Sequence, residues 1–182
     1  PDTGAAAPGN PLIGSGDPSG AEQRVVADGL RNPYRFAFRP GAPTDDLWVG
    51  DVGWYRWEEL NRLTAPFTVP SNFGWPCYEG NYLGSAPNPE YQFTMPDACG
   101  ASALPPASLT APVFSYFHTT KEGQCVPSQA LDDYGPPFAG SSVTGVAFYV
   151  DGGYPASYHD GLFFTDYARG CLWFMGATDG VP

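Results

Sequence analysis

Arg31 and Asn32 stand directly before Pro33 in the stretch GLRNPYRFAFRP, residues 29–40. An always-charged guanidinium presents fixed donors to a carboxylate or carbonyl-rich ligand, and Asn32 adds both a donor and an acceptor. Pro33 restricts Asn32 to extended backbone, so both side chains leave the mouth of the following strand in a reproducible direction. The structural alternative is an ion pair between Arg31 and an acid such as Asp51 that merely pins strands together. On spacing alone that alternative leads.

Asp51 closes the apolar run LWVGD and is followed two residues later by Gly53, where backbone carbonyls can approach a cation closely. The commoner role for a lone Asp is to accept backbone hydrogen bonds in a turn. Glu58 and Glu59 are adjacent, so on a strand they point to opposite faces and cannot work as a carboxylate pair. One is expected in solvent and the other paired with Arg56 or Arg62. His118 and His159 are the chain's two histidines, the residue type best suited to general-base work near neutral pH. Neither has a GxSxG serine or a positioned cysteine nearby, and both read as surface or loop histidines. Trp54, Trp57, Trp75, Tyr78 and Tyr82 offer faces for a sugar ring, but aromatic core packing explains them equally well.

The elements that must position these residues are short. With 23 glycines, 21 prolines and 15% aromatics in 182 residues, the composition describes strands joined by turns and long loops. Strands are read at RFAFRP, LWVGDV, PVFSYF, VTGVAFYV, GLFFTDY and CLWFM, with WEELNRL either a strand or a short helix. The first 22 residues are a Gly/Pro/Ser/Asp-rich loop, and residues 64–112 form a long ordered excursion. The opening PDTGAAAPGNP and the end at a turn around Asp179 and Gly180 suggest part of a longer chain.

A net charge of −11 would repel nucleic acid phosphates and anionic lipid alike. No run approaches the roughly 18 apolar residues of a membrane-spanning helix. Nucleic-acid binding and membrane insertion are therefore not expected. Cys77, Cys99, Cys125 and Cys171 form no CxxC pair, which argues against a zinc or thioredoxin-like motif. Four cysteines with few lysines fit disulfides in an exported protein, and of three connectivities sequence proximity favours Cys77–Cys99 with Cys125–Cys171.

FAFRPGAPTDDLWVGDVG and VAFYVDGGYPASYHDGLFFTDYARG share a plan: apolar strand, Pro/Gly turn, then aromatic strand ending in Asp. They lie about 110 residues apart, which the 64–112 insertion accommodates between repeated antiparallel units. Such units suggest a β-propeller, against two unrelated hairpins in a sandwich. The ordered series GLRNPYRFAFRP, LWVGDVGWYRWEELNRL and NFGWPCYEG, continued by SSVTGVAFYV and GLFFTDYARGCLWFM, resembles the glucose/sorbosone dehydrogenase family of soluble quinoproteins and their hedgehog-interacting-protein-like relatives.

The resemblance implies an all-β fold, here part of a six-bladed propeller with four-stranded blades and disulfide-held loops. Residues 1–182 would be its C-terminal portion. It implies an exported, secreted or periplasmic sugar dehydrogenase that uses pyrroloquinoline quinone and calcium and passes electrons to an external acceptor. Arg31 and Asn32 match the pair that faces the quinone, Gly53 and Trp54 stand where two backbone carbonyls hold the calcium, and Ser142 falls at a hydroxyl position that contacts the cofactor. Ala168 departs from the pattern, standing where glucose dehydrogenases place a lysine toward a cofactor carboxylate. The family's base histidine matches neither His118 nor His159 and is expected upstream of Pro1. A propeller that binds carbohydrate or a protein partner without catalysis is the alternative.

Overall fold

The computed structural model describes residues 4–16, 20–54, 56–80, 95–99, 108–118, 125 and 140–182. Tyr82 and much of the 64–112 excursion lie outside those residues. The elements are β1 (Ala27–Asp28), β2 (Pro33–Phe38), β3 (Asp46–Asp51), β4 (Trp57–Thr64), β5 (Ser71–Asn72), α1 (Pro96–Cys99), β6 (Phe114–Phe117), β7 (Val143–Tyr149), β8 (Gly161–Asp166) and β9 (Cys171–Met175). The WEELNRL segment is a strand. Its partners on both sides, β3 and β6, settle what periodicity left open.

Two antiparallel sheets carry the architecture, β2-β3-β4-β6 and β7-β8-β9, and β1 pairs with β5 in a small parallel ribbon. This is the expected class, an all-β partial propeller of blade-like sheets. The first sheet is four-stranded, and the second is three-stranded among the described residues. Both disulfides form as sequence proximity favoured, Cys77–Cys99 and Cys125–Cys171.

Between the sheets Trp48, Leu60 and Tyr116 of the first pack on Val143, Leu162 and Phe164 of the second. A second cluster, around Val49, Leu63 and Phe73, covers the opposite face of the first sheet. Alternation therefore buries both faces of β3 and β4, and their burial gathers the large apolar side chains into contact. β2 departs from its reading as a buried strand: it is mostly exposed, with Phe36 and Phe38 on the surface. Both are sheet residues that nothing in this chain covers among the described residues.

The repeat seen in the sequence is a repeat in three dimensions. Pro33 pairs with Asp51 and Val143 with Asp166, and each pair is followed by a register shift at the same place. Val52 N–H donates to Asn32 O at 3.0 Å, as Tyr167 N–H donates to Ser142 O at 2.9 Å. Asn32 and Ser142 are thus equivalent positions, each leading into the first strand of its sheet.

Candidate functional site

Three motifs that are distant in sequence meet at one end of the first sheet. Gly29 O accepts from Trp75 N–H at 2.8 Å, joining GLRNP to NFGWP. Gly29 has φ +70°, and a Cβ there would collide with the Asn72 side chain and the Gly74 backbone. Arg31 Nη1 donates to Val52 O at 3.1 Å and Gly53 O at 2.7 Å, joining GLRNP to the loop after β3. Glu79, from NFGWPCYEG, accepts Trp54 N–H at 2.5 Å and Arg56 N–H at 2.9 Å. One carboxylate fixes the loop that carries Gly53 and Trp54.

Asp51 sits beneath this junction. Its carboxylate accepts Arg31 N–H at 2.9 Å and Asn32 N–H at 2.6 Å, so it bonds the backbone of both residues. The ion pair expected between the Arg31 and Asp51 side chains does not form, because the guanidinium turns to the two carbonyls instead. Asp51 plays the turn-capping role that its position suggested. Burial pushes its carboxyl up to about 6, with Glu79 adding to the shift and the two amides opposing it.

Asp51, Glu59 and Glu79 line the same small recess with Arg31, Gly53 and Trp75, a cavity of about 10 Å³. Glu59 is buried and accepts Gly80 N–H at 2.5 Å and Asn61 Nδ2 at 3.0 Å. Burial, then the charges of Asp51 and Glu79, push it up to about 8, so it holds a proton at neutral pH. Over the recess, Arg31 lies 5.7 Å from the Trp75 ring, and Trp54 meets Trp75 edge-on at 5.7 Å. Trp54 is exposed at the rim. A Cβ at Gly53 would run into the Trp57 carbonyl, which explains the glycine without any ligand.

Glu58 and Glu59 correct the expectation of one solvated carboxylate and one arginine pair. Both are buried, on opposite faces of β4. Glu58 accepts Val143 N–H of the second sheet at 2.8 Å and meets His118 Nδ1 at 2.5 Å, and burial pushes its pKa up. His118 is therefore a carboxylate-held histidine, 17% exposed, and not a surface one. Arg62 bonds Asp46 instead, together with Arg39. His159 packs 5.8 Å from the Tyr149 ring, near the β7–β8 turn.

Ser142 lies on the second sheet and donates its N–H to Asp166 at 2.8 Å, so it is not among the residues that line the recess. Asp166 also accepts Tyr116 Oη at 2.8 Å and Arg169 N–H at 2.9 Å. Ala168 is exposed in the turn between them. The structure thus brings Arg31, Asn32, Gly53 and Trp54 together and places Ser142 at the matching corner of the next sheet. Sequence reasoning missed Glu79 and the buried role of Glu59. The signal for Glu79 was its place at the end of the NFGWPCYEG motif, since a charged residue among tightly turning apolar ones needs donors nearby.

Blade-like antiparallel sheets, with the GLRNP, GDVGW and NFGWP motifs converging on one recess, define a protein of the sugar-dehydrogenase-like propeller class. The profile of the glucose/sorbosone dehydrogenase family matches residues 1–118, and the chain belongs to that family. It is similar to the HIPL2 protein of Arabidopsis thaliana, 27% identical over 164 residues, which is 90% of this chain and 19% of that protein. The chain thus spans about a fifth of that relative's length. No solved structure matches.

Proposed function

We propose that this chain is a portion of an exported six-bladed quinoprotein that oxidises an aldose or related sugar alcohol with pyrroloquinoline quinone and calcium and passes electrons to an external acceptor. The observation that carries the reading is the turn of Val52 O and Gly53 O toward a single cationic group, Arg31 Nη1. Backbone carbonyls already converging on positive charge suit a hard cation that takes oxygen ligands, while among the described residues no three acidic, histidine or cysteine side chains group to hold one. Gly53 and Trp54 would supply the calcium-binding carbonyls. Two disulfides support an oxidising compartment, and no helix among the described residues is long and apolar enough to cross a membrane.

Fit to the quinone rests on Arg31, Asn32 and Ser142. Among the described residues Nη1 makes both hydrogen bonds of the Arg31 side chain, which leaves Nε and Nη2 to donate to a quinone oxygen or carboxylate. The Trp54 and Trp75 rings offer flat faces beside it. When bound, the quinone supplies a hydride acceptor and calcium a Lewis acid acting on it. This chain's own part is to orient: Asp51 fixes the backbone of Arg31 and Asn32, and Glu79 fixes the loop of Gly53 and Trp54. The proton-accepting histidine belongs to sequence upstream of Pro1.

The test is reconstitution of the full-length protein with calcium and quinone. Sugar-dependent dye reduction, with quinone binding by calorimetry that Arg31→Leu abolishes, is the expected result. Absence of both dye reduction and quinone binding overturns the reading. Ala168, which removes a lysine's charge, favours the second reading, a non-catalytic propeller that binds carbohydrate or a protein partner. Sugar binding by a full-length protein that takes up no quinone would establish it.

A further inference from the structure

The motif NFGWPCYEG, residues 72–80, gives Glu79 to the recess and also builds a second space. A cavity of about 230 Å³ lies among Asn72, Trp75, Pro76, Tyr78, Ala98 of α1 and Leu109. Trp75 and Tyr78 line both spaces, whereas Arg31, Asp51, Gly53, Glu59 and Glu79 line the recess alone. The cavity is a neighbour of the candidate site and not part of it.

Its walls are fixed by the backbone and one disulfide. Gly74 O accepts Cys77 N–H at 2.9 Å and Tyr78 N–H at 3.0 Å, which turns the motif back on itself, and Cys77–Cys99 ties that turn to α1. Asn72 O accepts Thr110 N–H at 2.7 Å and so brings Leu109 to the cavity. Gly74 has φ +101°, and a Cβ there would strike Tyr78 Cβ at 2.9 Å and close on Leu109. A cavity held in this way is formed before any ligand arrives, so binding need not order the chain.

Its size and lining select the ligand. The volume exceeds the roughly 150 Å³ that admits a benzene ring and falls below the ~300 Å³ at which drug-sized pockets begin, so it suits one six-membered ring with its substituents. Among the described residues no charged side chain lines it, which leaves a charged ligand without a partner. Trp75 and Tyr78 supply aromatic surface, and Pro76, Ala98 and Leu109 add apolar contact. Asn72 is the polar side chain: its Oδ1 is taken by Gly74 N–H at 2.8 Å, while among the described residues Nδ2 donates to nothing. An apolar ring would leave those donors idle. A ring with C–H faces and hydroxyls around its edge uses both features.

We propose that this cavity is a second binding site, for the pyranose ring of an uncharged sugar, with the C–H face against Trp75 and Tyr78 and a hydroxyl accepting from Asn72 Nδ2. The site needs neither quinone nor calcium, so it stands apart from the dehydrogenase reading.

Calorimetry on the full-length protein, freed of quinone and calcium, tests this with methyl glucoside, which has no free anomeric hydroxyl to oxidise. The unmodified protein is expected to bind it, with a change in tryptophan emission as Trp75 is covered. Ala98→Phe fills the cavity and is expected to abolish that binding while quinone uptake, measured separately, stays as it was. If near-ultraviolet circular dichroism shows that variant misfolded, Leu109→Trp takes its place. Cyclohexanol, a similar ring with a single hydroxyl, should bind about tenfold more weakly, the loss expected for one or two hydrogen bonds. Absence of methyl glucoside binding overturns the proposal, as does binding that persists in a folded filling variant, or cyclohexanol that binds as tightly. A protein that takes up no quinone but loses methyl glucoside binding on filling the cavity upholds this site and overturns the dehydrogenase reading alone.

Discussion

Asp51 and Asp166 close the same corner of two successive sheets. Each stands at the end of its sheet's second strand and accepts the amide of the residue that leads into the first, Asn32 at 2.6 Å and Ser142 at 2.8 Å. A buried carboxylate is costly unless its oxygens are satisfied, and here backbone amides satisfy them. The repeat therefore conserves a backbone-holding device between the sheets, while the side chains it presents, Arg31 and Asn32 in one and Ser141 and Ser142 in the other, differ.

Replacing Asp51 with Asn keeps the shape but turns an amide NH₂ toward one of two backbone donors. The expected cost is about 1–3 kcal/mol of unfolding free energy, with the loss seen in urea titration. Quinone binding should weaken in the same variant, because the backbone of Arg31 and Asn32 loses its support. An unchanged urea midpoint would contradict the capping role.

Stability should fall as pH rises through the neutral range. Glu59 has its folded-state pKa raised from 4.5 to about 8, so between those values the folded protein holds a proton that the unfolded chain has released. Asp51, raised from 3.8 to about 6, acts in the same direction at lower pH. The slope is at most about 1.4 kcal/mol per pH unit for each such proton. Glu59→Gln is expected to flatten the fall between about pH 6 and 8, read by urea unfolding at several pH values. A variant as pH-dependent as the parent would show that Glu59 is ionised in the fold.

His118→Ala leaves the Glu58 carboxylate with Val143 N–H as its remaining hydrogen bond among the described residues. The loss should be about 3–5 kcal/mol, the range for breaking a buried pair. Adding Glu58→Gln in the same chain should recover part of it, since a neutral amide needs less compensation there. Thermal melts of the two single variants and the double give the coupling energy. Strict additivity would mean that the contact contributes nothing.

Calcium should raise the melting temperature of the chain and change the emission of Trp54 and Trp75, which lie beside Gly53 and Arg31. Ligand binding to the folded state alone stabilises by about 2.7 kcal/mol at one hundred times the dissociation constant. Chelation should reverse both changes. Arg31→Leu frees the Val52 and Gly53 carbonyls and is expected to leave calcium binding intact while quinone binding is lost. Loss of both in a folded variant would place Arg31 in the metal site as well.

Trp48→Ala should loosen one sheet from the other. A fully buried tryptophan removed from a packed interior costs about 3–5 kcal/mol. Urea unfolding should then show a lower midpoint, and hydrogen exchange should rise in β7 and β8 ahead of β4. Uniform exchange across both sheets would mean that they unfold as one unit.

Much of this molecule is written locally. Alternating apolar residues bounded by Gly, Pro and Asp place β2, β3, β7, β8 and β9, because the two-residue period of a strand and the turn preferences of those residues act over a few positions. The repeated strand-turn-strand-Asp pattern was likewise visible without coordinates, and it proved to be a repeat of register as well as of composition. The motifs GLRNP, GDVGW and NFGWP were legible as an ordered series, but their convergence on one recess was not. Tertiary structure alone decided where the charges went. Arg31 chose the carbonyls of Val52 and Gly53 over Asp51, Glu58 found His118 sixty residues away, and Glu59 was sealed in with its proton. Phe36 and Phe38, apolar at alternating positions, are in water although the pattern reads as buried. The reason is physical. Periodicity tells which side chains share a face, but whether that face meets water, a carboxylate or another sheet depends on which distant segments fold against it.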